Sequence, residues 1–297
     1  MPCSPPQPRT PLLILATLVA TLSIAGTASA TPGPADDRLV QTPTAWMVRK
    51  SISVAELTDI NNAGTWRVTD LRVENNSPLT LSATFVKNAG AYAVSGAFFY
   101  HGVTLTDAAA TFEANNKRPI IMQAYVDDNG VTRVCGITVP NTGANHRSWR
   151  GIMGSYDFVT SNLPVGFRPM TIGTFLNDAD QRRYVVLAVA NTESYAWWWY
   201  FGVHASDLDS LAGPHSSIID GSADDNDAMQ LNVVFYNLPT THGVTQGTPF
   251  FDTSYADLVQ KASSYQNRAL FITHYTLHGS GTADGDTEYF SSFVDNY

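Results

Sequence analysis

The chain has 297 residues, 44% of them hydrophobic and only 14% charged, with a net charge of −9. That acidity argues against nucleic acid and anionic membrane surfaces as partners, and it permits cationic ligands or metal ions. A chain of this length removes about 70–75% of its unfolded surface from water, so it needs no disulfide to hold a core.

Residues 1–30 read as a signal peptide. Arg9 supplies a positive start, residues 12–25 form an apolar stretch, and Ala28-Ser29-Ala30 offers a small-residue cleavage site. Cleavage there predicts a secreted or periplasmic protein of 267 residues with Cys135 as its single cysteine. No later stretch is apolar enough to insert in a membrane. Residues 31–44 read as a flexible N-terminal segment, and 45–297 as a single five-repeat domain.

A regular spacing organises that domain. Glu56, Asp107, Asp157, Asp207 and Asp257 stand 51, 50, 50 and 50 residues apart. Eleven residues after each comes Arg67, Arg118, Arg168, the exception Ile218, then Arg268. Such a period marks one supersecondary unit stacked on copies of itself.

In chain order, a strand at 45–49 leads into a helix at 54–61, then strands from Trp66 and Leu81. The next copy has a strand at 96–101, a helix at 107–113, and strands from Pro119 and Thr132. The third has a strand at 148–152, a helix at 156–161, and strands at 167–173 and 183–189 about the polar turn 177–180. The fourth has the aromatic strand 195–201, a helix at 206–212, and strands from Ser217 and Met229. The last has a strand at 249–252, a helix at 255–264, and strands from Ala269 and Thr287. The fold class is therefore α+β, five βββα repeats of about 50 residues. A permuted start and finish lets the ends pair and close a five-bladed α/β propeller, with an open solenoid as the alternative.

Helix starts explain the acids. Three residues before them stand Ser53, Thr104, Gly154, His204 and Ser254, so Ser or Thr followed by Glu or Asp forms a capping box. The arginines at the next strand start are then expected to fold back as structural ion pairs: Glu56–Arg67, Asp107–Arg118, Asp157–Arg168 and Asp257–Arg268.

Such a ring resembles the pentein fold in architecture. Penteins that do chemistry carry a nucleophilic Cys near the C-terminus, and nothing here occupies that place. Gly166-Phe167-Arg168-Pro169, Arg182-Arg183-Tyr184-Val185-Val186, the Trp197–Trp199 strand and Asp207-Leu208 resemble the bacterial tandem repeat domain. That repeat accompanies β-lactamase-like serine hydrolases such as polyglycine hydrolases. Their Ser-x-x-Lys is absent from this chain, so the resemblance implies only the repeat module.

Three groups carry candidate chemistry. His204 and Asp207 occupy the copy whose arginine is replaced, where a carboxylate beside an imidazole suits acid–base catalysis or a helix cap. In Trp197-Trp198-Trp199-Tyr200-Phe201, alternation sends Trp198 and Tyr200 to one face, the expected ligand contacts. The hairpin loops are acidic, and Asp220, Asp224, Asp225 and Asp227 are dense enough to suit Ca²⁺, against the plain reading of a solvated turn. Cys135 reads as a buried hydrophobe.

Recognition of a cell-wall polymer or an extracellular peptide through the aromatic strand is the expected function, with no cofactor needed. A hydrolase acting around His204 and Asp207 is the alternative, and a structural module working with a separate partner protein is the third.

Overall fold

The chain separates into Met1–Thr31 and Pro32–Tyr297. The computed structural model describes residues 46–297 except 90–93, 144–145, 212–215, 225–226, 238–243, 254–255, 258–259, 261–267, 277–286 and 297. The leader 1–30 and the segment 31–44 lie outside the described residues, as does most of the helix expected at 255–264.

Among the described residues fifteen strands form five three-stranded antiparallel sheets. Strands β1 (Trp46–Ser53), β2 (Trp66–Asn76) and β3 (Leu79–Lys87) make the first. Strands β4 (Phe98–Val103), β5 (Lys117–Val126) and β6 (Thr132–Pro140) make the second. The third holds β7 (Trp149–Gly154), β8 (Phe167–Leu176) and β9 (Arg182–Ala190). The fourth holds β10 (Ala196–His204), β11 (Ser216–Asp224) and β12 (Asp227–Asn237). Strands β13 (Val244–Thr253), β14 (Arg268–Thr276) and β15 (Thr287–Asn296) complete the set. In every sheet the last strand in sequence lies in the middle, as in β1-β3-β2.

The second strands of the repeats meet each other. β2 lies against β5, β5 against β8, β8 against β11, β11 against β14, and β14 against β2. Of these, β5 and β8 run through nearly unbroken buried residues. Close approach has a local requirement at Gly136, where a Cβ would stand 2.0 Å from the Ile121 carbonyl oxygen, too near for any side chain.

Helices α1 (Val54–Asn62), α2 (Leu105–Ala114) and α3 (Tyr156–Ser161) follow the first strands of the first three repeats. α1 packs on the next repeat's β4, and Phe112 of α2 reaches Trp149 on β7. The fourth repeat has a 3₁₀ turn at Ala205–Asp207 running into α4 (Leu208–Leu211). Ser53 and Thr104 cap as expected, accepting the N–H of Glu56 and Asp107. The third cap is Ser155, not Gly154: its oxygen accepts the Phe158 N–H at 3.3 Å.

The ion-pair expectation is corrected. Glu56, Asp107 and Asp157 sit exposed at helix starts, whereas Arg67, Arg118 and Arg168 are buried at the strand starts. Among the described residues these acids do not meet those arginines. The first-turn carboxylates face water beside their caps, and the guanidiniums enter the interior with the strand. Arg168 instead donates to Tyr236 Oη at 2.6 Å and lies 3.5 Å from Glu193. Its guanidinium also stands over the rings of Tyr195 and Tyr236. For the last pair, the Arg268 side chain lies outside the described residues.

The exception in the period also moves. Arg67, Arg118 and Arg168 pair across the ladder with Val86, Val139 and Val189, one place before a pair that precedes a bulge. In the fourth sheet that place belongs to Ser217, opposite Tyr236, one residue earlier than the spacing assumes.

Candidate functional site

The seam between the third and fourth repeats differs from its predecessors. α1 and α2 run nine and ten residues, but α3 runs six. Its sequence explains this: β-branched Val159 and Thr160 weaken it, and Pro164 forbids continuation. α2 is built on Ala108, Ala109 and Ala110 and has no such stop.

The strand beside the short helix is β10, whose nine residues are all at least partly exposed. By contrast, β4 buries Phe99 and Tyr100, and β7 buries Trp149 and Ile152. Five rings touch in sequence along this seam. Trp197 meets Trp199 at 5.7 Å between centroids, and Trp199 meets Phe201 at 5.2 Å. Phe201 meets Tyr184 at 5.2 Å and Tyr156 at 5.0 Å, in edge-to-face geometry. Tyr156, the first residue of α3, is 40% exposed, so the stripe reaches the surface.

Trp197, Trp199 and Phe201 pack on the cluster that joins the third and fourth repeats, and the opposite face of β10 packs within the fourth. Trp198 lies parallel to the buried Phe235 at 5.7 Å, and Tyr200 meets the same ring edge-on at 6.0 Å. Both pack on the cluster of Leu208, Ile218, Leu231 and Val233. The alternation of the strand was therefore legible. The broader aromatic surface lies on the Trp197–Trp199–Phe201 face, because Tyr156 and Tyr184 extend it from the third repeat.

His204 and Asp207 stand together on an exposed turn with Ser206 between them. His204 Nδ1 accepts the Ser206 backbone N–H at 3.3 Å and lies 2.7 Å from Ser206 Oγ. That hydroxyl also donates to Asp207 Oδ1 at 3.3 Å. The imidazole satisfies the start of the 3₁₀ turn, which is the work of a cap.

Asp220 belongs to the interior rather than to the hairpin loop. It is buried, accepts the Ile172 N–H at 2.6 Å, and forms an ion pair with Arg72 of the first repeat. Arg72 also donates to the Ile172 carbonyl at 3.3 Å and lies 3.4 Å from Asp70. Burial works against its charge, yet Asp220 and Asp70 outweigh that penalty and raise its pKa. Asp225, and the side chains of Asp224 and Asp227, lie outside the described residues. Among the described residues no three His, Cys, Asp or Glu side chains gather as a metal site.

Other hairpin acids have structural work. Asp127 accepts from Arg133 and from the N–H groups of Asn129 and Val131. Hydrogen bonding to Arg133 holds its carboxyl below the usual range. Glu74 accepts the N–H and hydroxyl of Ser51, at a bulge in β1 where φ is +50°. Equivalent bulges offer their Gly102 and Gly202 N–H groups to Tyr125 and Asn232.

One repeated device escaped the sequence reading. Asn88, Asn141 and Asn191 each follow a middle strand and grip both peptide groups of one later residue. Their side chains accept from and donate to the backbone of Val94, Arg147 and Tyr195. An asparagine after each of the first three middle strands was the available signal.

These features define an α+β repeat protein with an aromatic seam. Compared with known proteins, its sequence matches no protein-family model and no curated protein. No helix among the described residues is long and apolar enough to cross a membrane.

Proposed function

We propose that this is a secreted repeat protein that recognises an extracellular ligand through β10 and the rings beside it. The observation that carries the reading is the continuous, partly exposed stripe Trp197–Trp199–Phe201–Tyr156 beside a six-residue helix. Large rings with a polar tip bind well because they bring much contact area with few torsions to freeze. Sites of this kind favour junctions between structural units. The five repeats close into a ring on this reading, supported by β14 lying against both β11 and β2. Secretion rests on the leader at 1–30.

The test is binding of Trp199→Ala to insoluble peptidoglycan, chitin and extracellular peptides, beside the unaltered protein. A contact residue at the centre of the site costs at least about tenfold in affinity. Unchanged retention by Trp199→Ala and Trp197→Ala on every matrix that holds the parent would reject the aromatic seam as the surface.

A further inference from the structure

We propose that β10 accepts an extended basic polypeptide as a fourth strand of its sheet, a proposal that rests on the recognition reading above. β10 ends the order β10-β12-β11, so among the described residues one side of its backbone ladder has no neighbouring strand. Such an edge pairs readily with another chain unless it is guarded by charge, proline or cover.

The other outer strands carry guards. β1 exposes Arg49 and Lys50, and β7 exposes Arg150. On β4 the exposed Phe98 is covered by Lys117, whose Nζ lies 4.8 Å from the ring centroid. β13 contains Pro249. Ala196–His204 contains no Lys, Arg, Asp, Glu or Pro, and the helix beside it is the shortest of the three.

An added strand would run beside Trp197 and Trp199 on one face and Trp198 and Tyr200 on the other, all of them packed on core clusters yet partly exposed. Main-chain pairing then supplies affinity and the rings supply selectivity. The bulge between Tyr200 and Val203 breaks the ladder, so the footprint runs from Ala196 to Tyr200.

Charge decides the kind of peptide. Asp157 directly follows Tyr156, whose ring touches Phe201, and Asp207 lies three residues beyond the end of β10. Both carboxylates are exposed and neither has an ion pair among the described residues. With no cation on β10 itself, a lysine-bearing strand complements this end.

The experiment titrates the whole secreted protein, by tryptophan fluorescence and sedimentation, with a seven-residue peptide alternating Lys and Thr. Parallel titrations use the same peptide with alternate amides N-methylated, its Glu-for-Lys counterpart, and chito-oligosaccharide. Strand addition predicts binding of the Lys peptide, weakened about tenfold or more by N-methylation and by charge reversal. Asp157→Asn with Asp207→Asn weakens it several-fold while the salt dependence falls. Equal affinity for the N-methylated peptide overturns strand pairing and leaves the recognition surface standing. A response to the oligosaccharide alone overturns the peptide but not the aromatic surface. A dimer that dissociates in Trp199→Ala overturns the proposal by assigning the edge to a second copy. Silence toward every probe, without self-association, removes both readings.

Discussion

Two seams of the same protein are built from the same parts and end differently. Where the second repeat meets the third, Phe112 of α2 reaches Trp149 at 6.1 Å, and both rings are buried at 5% exposure. Where the third meets the fourth, α3 stops after six residues, and Tyr156 meets Phe201 at the rim with 40% of its own surface open. The hydrophobic core follows the same divide. Among the described residues one cluster runs through the first three repeats, a second joins the third to the fourth, and a third lies within the fourth. Beside the shorter helix the aromatic contact ends at a ring 40% exposed, where the earlier seam keeps both of its rings buried.

The contrast can be broken most severely at the polar tie that spans it. Arg72→Ala removes the buried guanidinium that Asp220 and Asp70 face, and removing one partner of a buried pair costs about 3–5 kcal/mol. Urea unfolding is expected to show that loss, and an unshifted midpoint would refute the role of the tie. Trp149→Ala in the covered seam should cost about 3–5 kcal/mol, as core aromatics do. Trp199→Ala in the open seam should cost less than half as much, because water already reaches it. Equal losses would erase the distinction between the seams.

A smaller effect follows from Cys135. Burial pushes its thiol up to about 12, so a thiol reagent at neutral pH should leave the native protein untouched and react once it is unfolded in urea. The smallest concerns His101, which holds on β4 the place that Phe201 holds on β10, just before the bulge glycine. Partial desolvation lowers the pKa of this largely exposed imidazole from 6.5, so the unfolded chain takes up the proton first. Its contribution is present above 6.5 and declines as the pH falls below it. His101→Phe should remove that part of the acid sensitivity in thermal melts between neutral and mildly acidic pH.

Much of the architecture was readable because it is periodic. Acids at 50-residue spacing marked helix starts, and β-branched runs such as Arg183–Val189 marked strands. The partners of the arginines were not readable, since sequence distance says nothing about which side of a sheet a buried guanidinium enters. Arg168 found Glu193 and Tyr236, the latter 68 positions away. Nor could Asp220 be told from a loop acid, because its partner Arg72 lies 148 positions off. The aromatic strand was visible at once, yet its open face depends on Tyr156 and on where α3 stops. Pro164 hinted at that stop, but which ring it uncovers is a matter of packing.

The asparagine grip carries a lesson about how such a chain tolerates change. Asn88 and Asn141 hold a residue six positions ahead, while Asn191 holds one only four ahead. A fastener that closes equally well over a long or a short excursion makes this corner indifferent to what it encloses. Insertions or an affinity tag placed there should leave the neighbouring sheets undisturbed, and copying a repeat with ragged ends would do no harm.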